Sequence, residues 1–478
     1  MLTENPEFIE VMSEQIEKTE LSFDSETSVA RHLTRAVTDS SVDLGLSDSQ
    51  LISADGFIWS YSNHTGTWSR VEHDELITLA QLYDGLWTEE KKPRRVNISF
   101  ARATNIARST LRLHELQAKH FFESTKPGIA CTNGFLKVTA SGVEITEHDA
   151  EHRATVAYDF KVGEDEDEDP PMGWLRFLKE IFAEDDDQAE KMMVLQEFIG
   201  ICLVGQATQY SQCLLFLGSG SNGKSVLCEL IAELLFPEGT VTHISPRRWG
   251  NDYSVSGLKD SRVNIVSELP ETNAVEQADM FKAVTSGDKV EARLPYQPPH
   301  IVHPRAGHVF CANEMIRTSD FSFGFFRRFK TLSFNRSFED APERKTKAEI
   351  MDSIAPERGA IIMWALQGAV RLIRNGRYTE VASHKVEMEN WKQDSDSVYD
   401  FMRSCLSTTE PDSEKEYLKD LSSEFEKWAA ETKRKGGMCN RTLAKRLKAL
   451  GLTKDRDGYG TLFKGVRLLT NQEASSMN

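Results

Sequence analysis

The spacing of apolar positions divides the chain into stretches of different period. Residues 1 to about 50 read as helical and surface-exposed, with Ser/Thr/Asp punctuation and no motif. From Leu51 the pattern turns to strand. Gly56-Phe57-Ile58-Trp59-Ser60-Tyr61, a turn at Asn63–Gly66, and Thr67-Trp68-Ser69-Arg70 predict a β-hairpin. Residues 73–123 read as helices broken by Lys91-Lys92-Pro93-Arg94-Arg95. Asn133–Val138 and Gly142–Ile145 suggest a second small hairpin region. Helical spacing returns over Trp174 to Phe182 and Ala189 to Leu203. Strand-length apolar runs follow at Leu214–Leu217, Arg262–Glu268 and Gly307–Asn313. A strongly apolar helix is expected from Ile361 to Ile373. The last hundred residues give helix (Ser422–Lys433), turn (Gly436-Gly437), helix (Asn440–Leu450) and a hairpin centred on Asp457-Gly458. Thr461–Leu468 would be the second wing strand of a winged helix.

A chain of 478 residues has room for two to four domains. At 39% hydrophobic and 27% charged it has the make-up of a globular protein. It lacks an apolar run of eighteen residues, so no membrane span is expected. The polar, acidic stretch from Met1 to Glu20 excludes a secretory signal. Seven cysteines without C-x-x-C pairing are expected to be buried, reduced thiols of a cytoplasmic protein, with no zinc module. Phe23-Asp24-Ser25-Glu26 reads as a solvated turn, and the acidic run from Gly163 to Pro171 as a linker or loop. The formal charge of -17 argues against a surface covered by nucleic acid but leaves room for one basic module. That module is expected at the C-terminus, where Lys433, Arg434, Lys435, Arg441, Lys445, Arg446, Lys448, Lys454, Arg456, Lys464 and Arg467 meet few acids. Arg441, Lys445 and Arg446 lie on the helix that would enter a major groove. A small cap with solvated lysines is the plainer reading.

Candidate chemistry centres on Gly218-Ser219-Gly220-Ser221-Asn222-Gly223-Lys224-Ser225. An apolar strand precedes this G-x-x-x-x-G-K-S pattern and a helix-like run, Val226 to Leu235, follows it. Such a loop turns its backbone N–H groups onto phosphate oxygens at a helix N-terminus. Lys224 would reach the β- and γ-phosphates of ATP, and Ser225 would hold Mg²⁺. Glu268 ends an apolar strand some forty residues later, where a carboxylate can polarise the lytic water or complete the Mg²⁺ shell. Glu271 is the second choice. After it, Phe281–Arg293 suggests a hairpin with Ser286-Gly287-Asp288 as its turn, Lys289 near the tip and Arg293 on the strand behind. A cationic hairpin can grip phosphates of a moving strand, but spacing alone favours a plain solvated one. Asn313 ends a third strand and could orient water, or simply end the strand. Arg327 and Arg328, set among aromatics, call for an anion or a carboxylate, and a finger reaching a neighbouring subunit's γ-phosphate fits them.

Taken together and in this order, the phosphate loop, Asn264–Glu268, the Ser-Gly-Asp segment, Phe310–Asn313 and Gly324–Phe329 resemble superfamily 3 helicases. The likeness is to the helicase part of phage and plasmid primase-helicases, related to the poxvirus primase-helicase. It covers residues 50–340 clearly and the C-terminus loosely. It implies an α/β fold with an AAA+-like core, a mixed α+β domain before it and a winged helix after it. It also implies a hexameric ring, ATP sites between subunits and 3′-to-5′ movement on DNA, single-stranded or forked. Residue by residue it gives Lys224 and Ser225 to ATP and Mg²⁺, Glu268 to the acid, Asn313 to the sensor and Arg328, ahead of Arg327, to the finger. Lys289 and Arg293 would face DNA. The turn here is Ser-Gly where that family often has Gly-Gly. No primase motif is present, so a separate primase or polymerase would be needed. Expected boundaries are 1–50, 51–185, 186–340 (core), 341–395, 396–470 (winged helix) and a tail at 471–478. The rival readings are an origin-binding replication initiator and an ATPase that remodels or defends through a protein partner.

Overall fold

The computed structural model describes residues 6–17, 25–43, 51–54, 57–88, 92–114, 121–123, 125–163, 169–271, 274–293, 299–318, 320–339, 345–410, 413–434 and 436–469. The acidic run at 164–168, Phe23 and Asp24, Lys91, Lys435 and the tail lie outside these residues.

Strands Cys213–Leu217, Val241–Thr242, Val263–Val266, Gly307–Ala312 and Phe329–Ser333 pair in parallel. Counted along the chain, their order across the sheet is 5-1-4-3-2. An all-parallel sheet is covered on both faces, which is why these runs are continuously apolar rather than alternating. Successive side chains go to opposite layers. Leu214, Phe216, Ile265, Val309 and Cys311 join one apolar cluster, with Ile199 and Leu366. Cys213, Leu215, Val266, Phe310 and Phe329 join another, with Trp249, Phe281 and Trp391.

Two helices, Gln188–Leu203 and Arg358–Asn375, clasp the first of these layers. Their backbones nearly touch. A Cβ on Gly200 would lie 2.0 Å from the carbonyl oxygen of Ala365, and one on Gly368 would lie 2.4 Å from that of Gln196. Around the crossing, Gln196 donates to the Trp364 carbonyl at 2.7 Å, and buried Glu197 pairs with Arg371 at 2.7 Å. Gly368→Val should therefore cost about 3 kcal/mol or more, because the obstacle is backbone and cannot rotate away. A urea unfolding curve checks this; a midpoint unchanged from wild type would refute the packing.

Lys330, on the fifth strand, is buried, and that burial pulls its pKa down to about 8, against the opposing pull of Glu197 and Glu380. Between about pH 8 and the ordinary lysine value, the unfolded chain binds the proton and the folded chain does not. Stability contributed by this group therefore rises with pH across that window. Lys330→Met is expected to gain about 2 kcal/mol at pH 7 and to lose that alkaline rise, read from urea unfolding at pH 7 and 9.5.

The N-terminal helices do not stand apart on the surface. Phe8, Met12 and Ile16 of Pro6–Glu17 and Val29 and Leu33 of Glu26–Asp43 share a core with Leu76, Tyr83 and Ile106. The predicted hairpin is Phe57–Ser62 with Thr67–Val71, joined at its edge by Leu51–Ala54. At the C-terminus, Ser397–Cys405, Leu418–Glu431 and Asn440–Ala449 pack over the hairpin Thr453–Asp457/Gly460–Lys464. Lys415–Tyr417 completes that sheet, and Val466–Leu468 is a separate strand paired with Leu406–Thr408.

Candidate functional site

The phosphate-type loop leaves the carboxyl end of the first strand, between the fourth and fifth, neither of which is its neighbour in sequence. Ligands of open α/β sheets bind at such crevices. The loop is held from three sides. Gly218 N–H donates to the Ala312 carbonyl at 3.3 Å, and Phe338 N–H donates to the Ser221 carbonyl at 2.7 Å. Gly223 has φ +86° and lies against Ile181, which a Cβ would approach to 2.7 Å. Only glycine suits both the left-handed backbone and that contact. The helix Lys224–Glu229 starts from it and runs on into a π-helical turn, Leu230–Leu235.

Lys224 is buried, and its ammonium donates to the Gly218 carbonyl at 2.6 Å and the Asn222 side-chain oxygen at 3.1 Å. Burial holds its pKa below the ordinary lysine value. Asn222, also buried, donates in turn to the Phe334 carbonyl at 3.4 Å. Asn222 thus positions Lys224, a role the motif spacing does not signal. The fifth strand is anchored beside it by fully buried Lys191, which donates to the Ser333 carbonyl and hydroxyl at 2.9 Å and pairs with Asp185 and Asp187. Phe334 and Ser333 lie 112 and 142 residues from Asn222 and Lys191, and nothing local announces those contacts.

Val266 pairs with Phe310 and Ala312 with Leu217, so Glu268, Asn313 and Gly218 leave the sheet side by side. Leu269 N–H donates to the Cys311 carbonyl at 2.7 Å and keeps the third segment in step. Glu268 and Asn313 are both exposed. Glu271, the second choice, is paired with Arg317 at 2.6 Å. Ser225 is exposed at the start of the helix. One hydroxyl and one carboxylate, without a carboxylate cluster among the described residues, suit a Mg²⁺ ion that keeps waters and takes phosphate oxygens.

The arginine pair splits. Arg328 is buried, and its guanidinium donates to the Lys282 carbonyl at 3.2 Å, Thr285 Oγ1 at 3.0 Å, Ser286 Oγ at 2.7 Å and the Gly324 carbonyl. It closes the C-terminus of helix Ala278–Ser286, where a cation meets unpaired carbonyls. Burial, with Arg327 beside it, lowers its pKa. Arg328, first choice for the finger, is thus occupied within its own chain, while Arg327 is exposed.

The Ser-Gly-Asp segment is likewise not a hairpin turn. Gly287, at φ +70°, caps that same helix, with Gly287 N–H on the Val284 carbonyl and Asp288 N–H on that of Ala283. The hairpin is Val290–Ala292 paired with His300–Val302, and its loop, 294–298, lies outside the described residues. Arg293 flanks that loop and Lys289 sits at the other end of the strand, both exposed. Left-handed glycine serves a helix cap and a turn equally, so the triplet does not discriminate.

In the C-terminal unit four of the predicted basic residues are paired with acids. Arg434 meets Asp394 and Asp400, Lys464 meets Asp455, and Arg467 meets Glu414. Arg446 pairs with buried Asp396 and lies over the Phe321 ring at 5.2 Å, tying its helix to the core. Arg441, Lys445 and Lys448 remain exposed one turn apart along helix Asn440–Ala449, beside exposed Lys454 and Arg456 on the hairpin.

A family of unknown function, DUF5906, matches residues 216–328, from the loop strand to Arg328. The chain is 27% identical over 179 residues to the "Putative helicase L207/L206" of Acanthamoeba polyphaga mimivirus, a match spanning 36% of this chain and 18% of that relative. Among solved structures it is similar to the C-terminal region of NrS-1, at a TM-score of 0.46 and 10% identity, over 89% of this chain and 97% of that one. A second structure of that region gives a TM-score of 0.43 at 11% identity, over 90% and 98%. No helix among the described residues is long and apolar enough to cross a membrane.

Proposed function

We propose that this chain is an ATP-hydrolysing DNA helicase with an AAA+-like core of the superfamily 3 kind, acting as a ring, expected hexameric, in replication of a phage, plasmid or integrated element. The observation that carries this reading is the loop Gly218–Ser225 beside two adjacent strand ends bearing Glu268 and Asn313. The mimivirus relative's name gives it independent support.

In this reading, backbone N–H groups of the loop and Lys224 hold the β- and γ-phosphates of ATP. When bound at Ser225, Mg²⁺ neutralises phosphate charge. Glu268 accepts a proton from the attacking water, and Asn313 orients it. Exposed Arg327 reaches the phosphate bound by a neighbouring subunit, because a group in trans must leave its own surface. Lys289 and Arg293 flank the hairpin that contacts the strand, and movement is 3′-to-5′.

The test is strand displacement on forked DNA with a 3′ tail, with ATP and Mg²⁺. Hydrolysis indifferent to every DNA offered, with no displacement, would sink this reading in favour of an ATPase acting on a protein partner. The exposed cations Arg441, Lys445, Lys448, Lys454 and Arg456 favour a second role, in which a C-terminal winged helix binds an origin. Binding of one duplex sequence well above random duplex would mark that role.

A further inference from the structure

A cleft of about 90 Å³ lies where the N-terminal hairpin meets the core, away from the phosphate loop. Its lining includes Arg70, Lys259, Arg262, Arg305 and His303, and a single carboxylate, Asp260. Four permanent cations against one acid are out of keeping with a chain of charge -17. Each arginine is held in place. Arg70 pairs with Asp260 at 2.7 Å and stacks over Phe57 and Trp59, at 4.7 and 4.9 Å from the ring centres. Arg262 reaches Thr155 Oγ1 at 3.5 Å and passes over Gly205, where a Cβ would meet its Nη1 at 1.9 Å. Arg305 donates to the Phe122 carbonyl and to Thr125 Oγ1.

Despite this, the Nε–H groups of Arg70 and Arg262 are buried with no hydrogen-bond partner among the described residues. Buried donors are nearly always satisfied. Fixed, planar guanidinium forks with spare donors match a phosphate, whose oxygens accept several such bonds at once. The cleft also continues a surface already described. Ile301, exposed, and His303 belong to the return side of the hairpin that Arg293 flanks.

We infer that this cleft is a second phosphate-binding site, taking the phosphodiester backbone of single-stranded DNA at the hairpin's outer side. Its identification with DNA rests on the helicase reading; its chemistry, a bound phosphate, does not. Arg262 brings an unpaired Nε–H to the cleft, Arg305 adds a second fixed guanidinium on its lining, and Arg70 is already committed to Asp260, so Arg262 and Arg305 are the pair to change. The N-terminal domain then contributes to the DNA path rather than only capping the core.

The test measures binding of a fluorescent oligothymidylate to full-length wild type and to the double variant Arg262→Gln/Arg305→Gln, across a range of salt. The double variant should bind about tenfold more weakly. Its log–log salt slope should fall by about 1.4, since each phosphate contact on a single strand contributes about 0.7. Thermal melting checks folding, and Lys259→Gln, a change at the rim, should lower the slope by about 0.7 if the double variant does not fold. Equal affinity and slope in wild type and variants would overturn the site while leaving the helicase reading standing. If wild type binds no oligonucleotide and its hydrolysis ignores DNA, both fall together. If inorganic phosphate binds wild type but not the variants, and does not compete with oligothymidylate, the site serves a free anion and the DNA assignment is overturned.

Discussion

Lys224→Ala is expected to lower ATP turnover by about 10²–10³-fold, the loss seen when one preorganised donor to transition-state charge is removed. Lys224 is the cation inside the loop, and its ammonium is already held there by the Gly218 carbonyl and Asn222. A bound phosphate would exchange those neutral acceptors for charged oxygens, which is why the effect should fall on turnover. Stability should move much less, by about 1–2 kcal/mol, because two hydrogen bonds to neutral groups are lost. Steady-state hydrolysis with a melting curve on the same preparation separates the two effects. A variant that hydrolyses ATP at the wild-type rate would remove the loop from the chemistry. Asn222→Ala should give a smaller loss of the same kind, since it leaves the charge and removes its orientation.

The second large effect divides adjacent residues. Arg328→Ala should destabilise the fold by about 3 kcal/mol or more, because it strands the carbonyls of Lys282 and Gly324 and the hydroxyls of Thr285 and Ser286. Arg327→Ala should leave the melting temperature within a degree or two. It should reduce hydrolysis by about 10³-fold, the scale of an arginine finger. Mixing decides whether the finger acts between subunits. Arg327→Ala and Lys224→Ala are each inactive alone, yet together they should regain activity, since an interface with the first variant's loop and the second variant's arginine is intact. No recovery in a mixture shown to co-assemble would refute the arrangement in trans.

The contrast within this pair shows what the sequence could carry. Eight consecutive residues between an apolar run and a helix were enough to locate the loop, because its geometry is made locally by Gly218, Gly220 and Gly223. The ends of the third and fourth strands were legible for the same reason. Three of the partners of Arg328, Lys282, Thr285 and Ser286, lie more than forty residues earlier, on a helix whose end reads in sequence as a turn. Among the C-terminal lysines and arginines, composition gave the charge but not the pairing. Arg446 is engaged by Asp396 and Phe321, fifty and more residues away. The N-terminal helices looked solvated because their apolar positions are sparse, and they bury them against helices that come later in the chain.

The clasp formed at Gly200 and Gly368 bears on how the protein is made. About 150 residues separate the two helices in sequence, and the whole parallel sheet lies between them. At roughly 5–20 residues per second, helix Gln188–Leu203 leaves the ribosome on the order of 10 s or more before its partner exists. For that interval the face of the helix around Gln196 and Gly200, which Ala365 and Gly368 will cover, is exposed, and contacts this distant in sequence close slowly. Synthesis is therefore the period in which this chain is most open to misassembly. A fragment ending before Arg358 would stay in that state indefinitely.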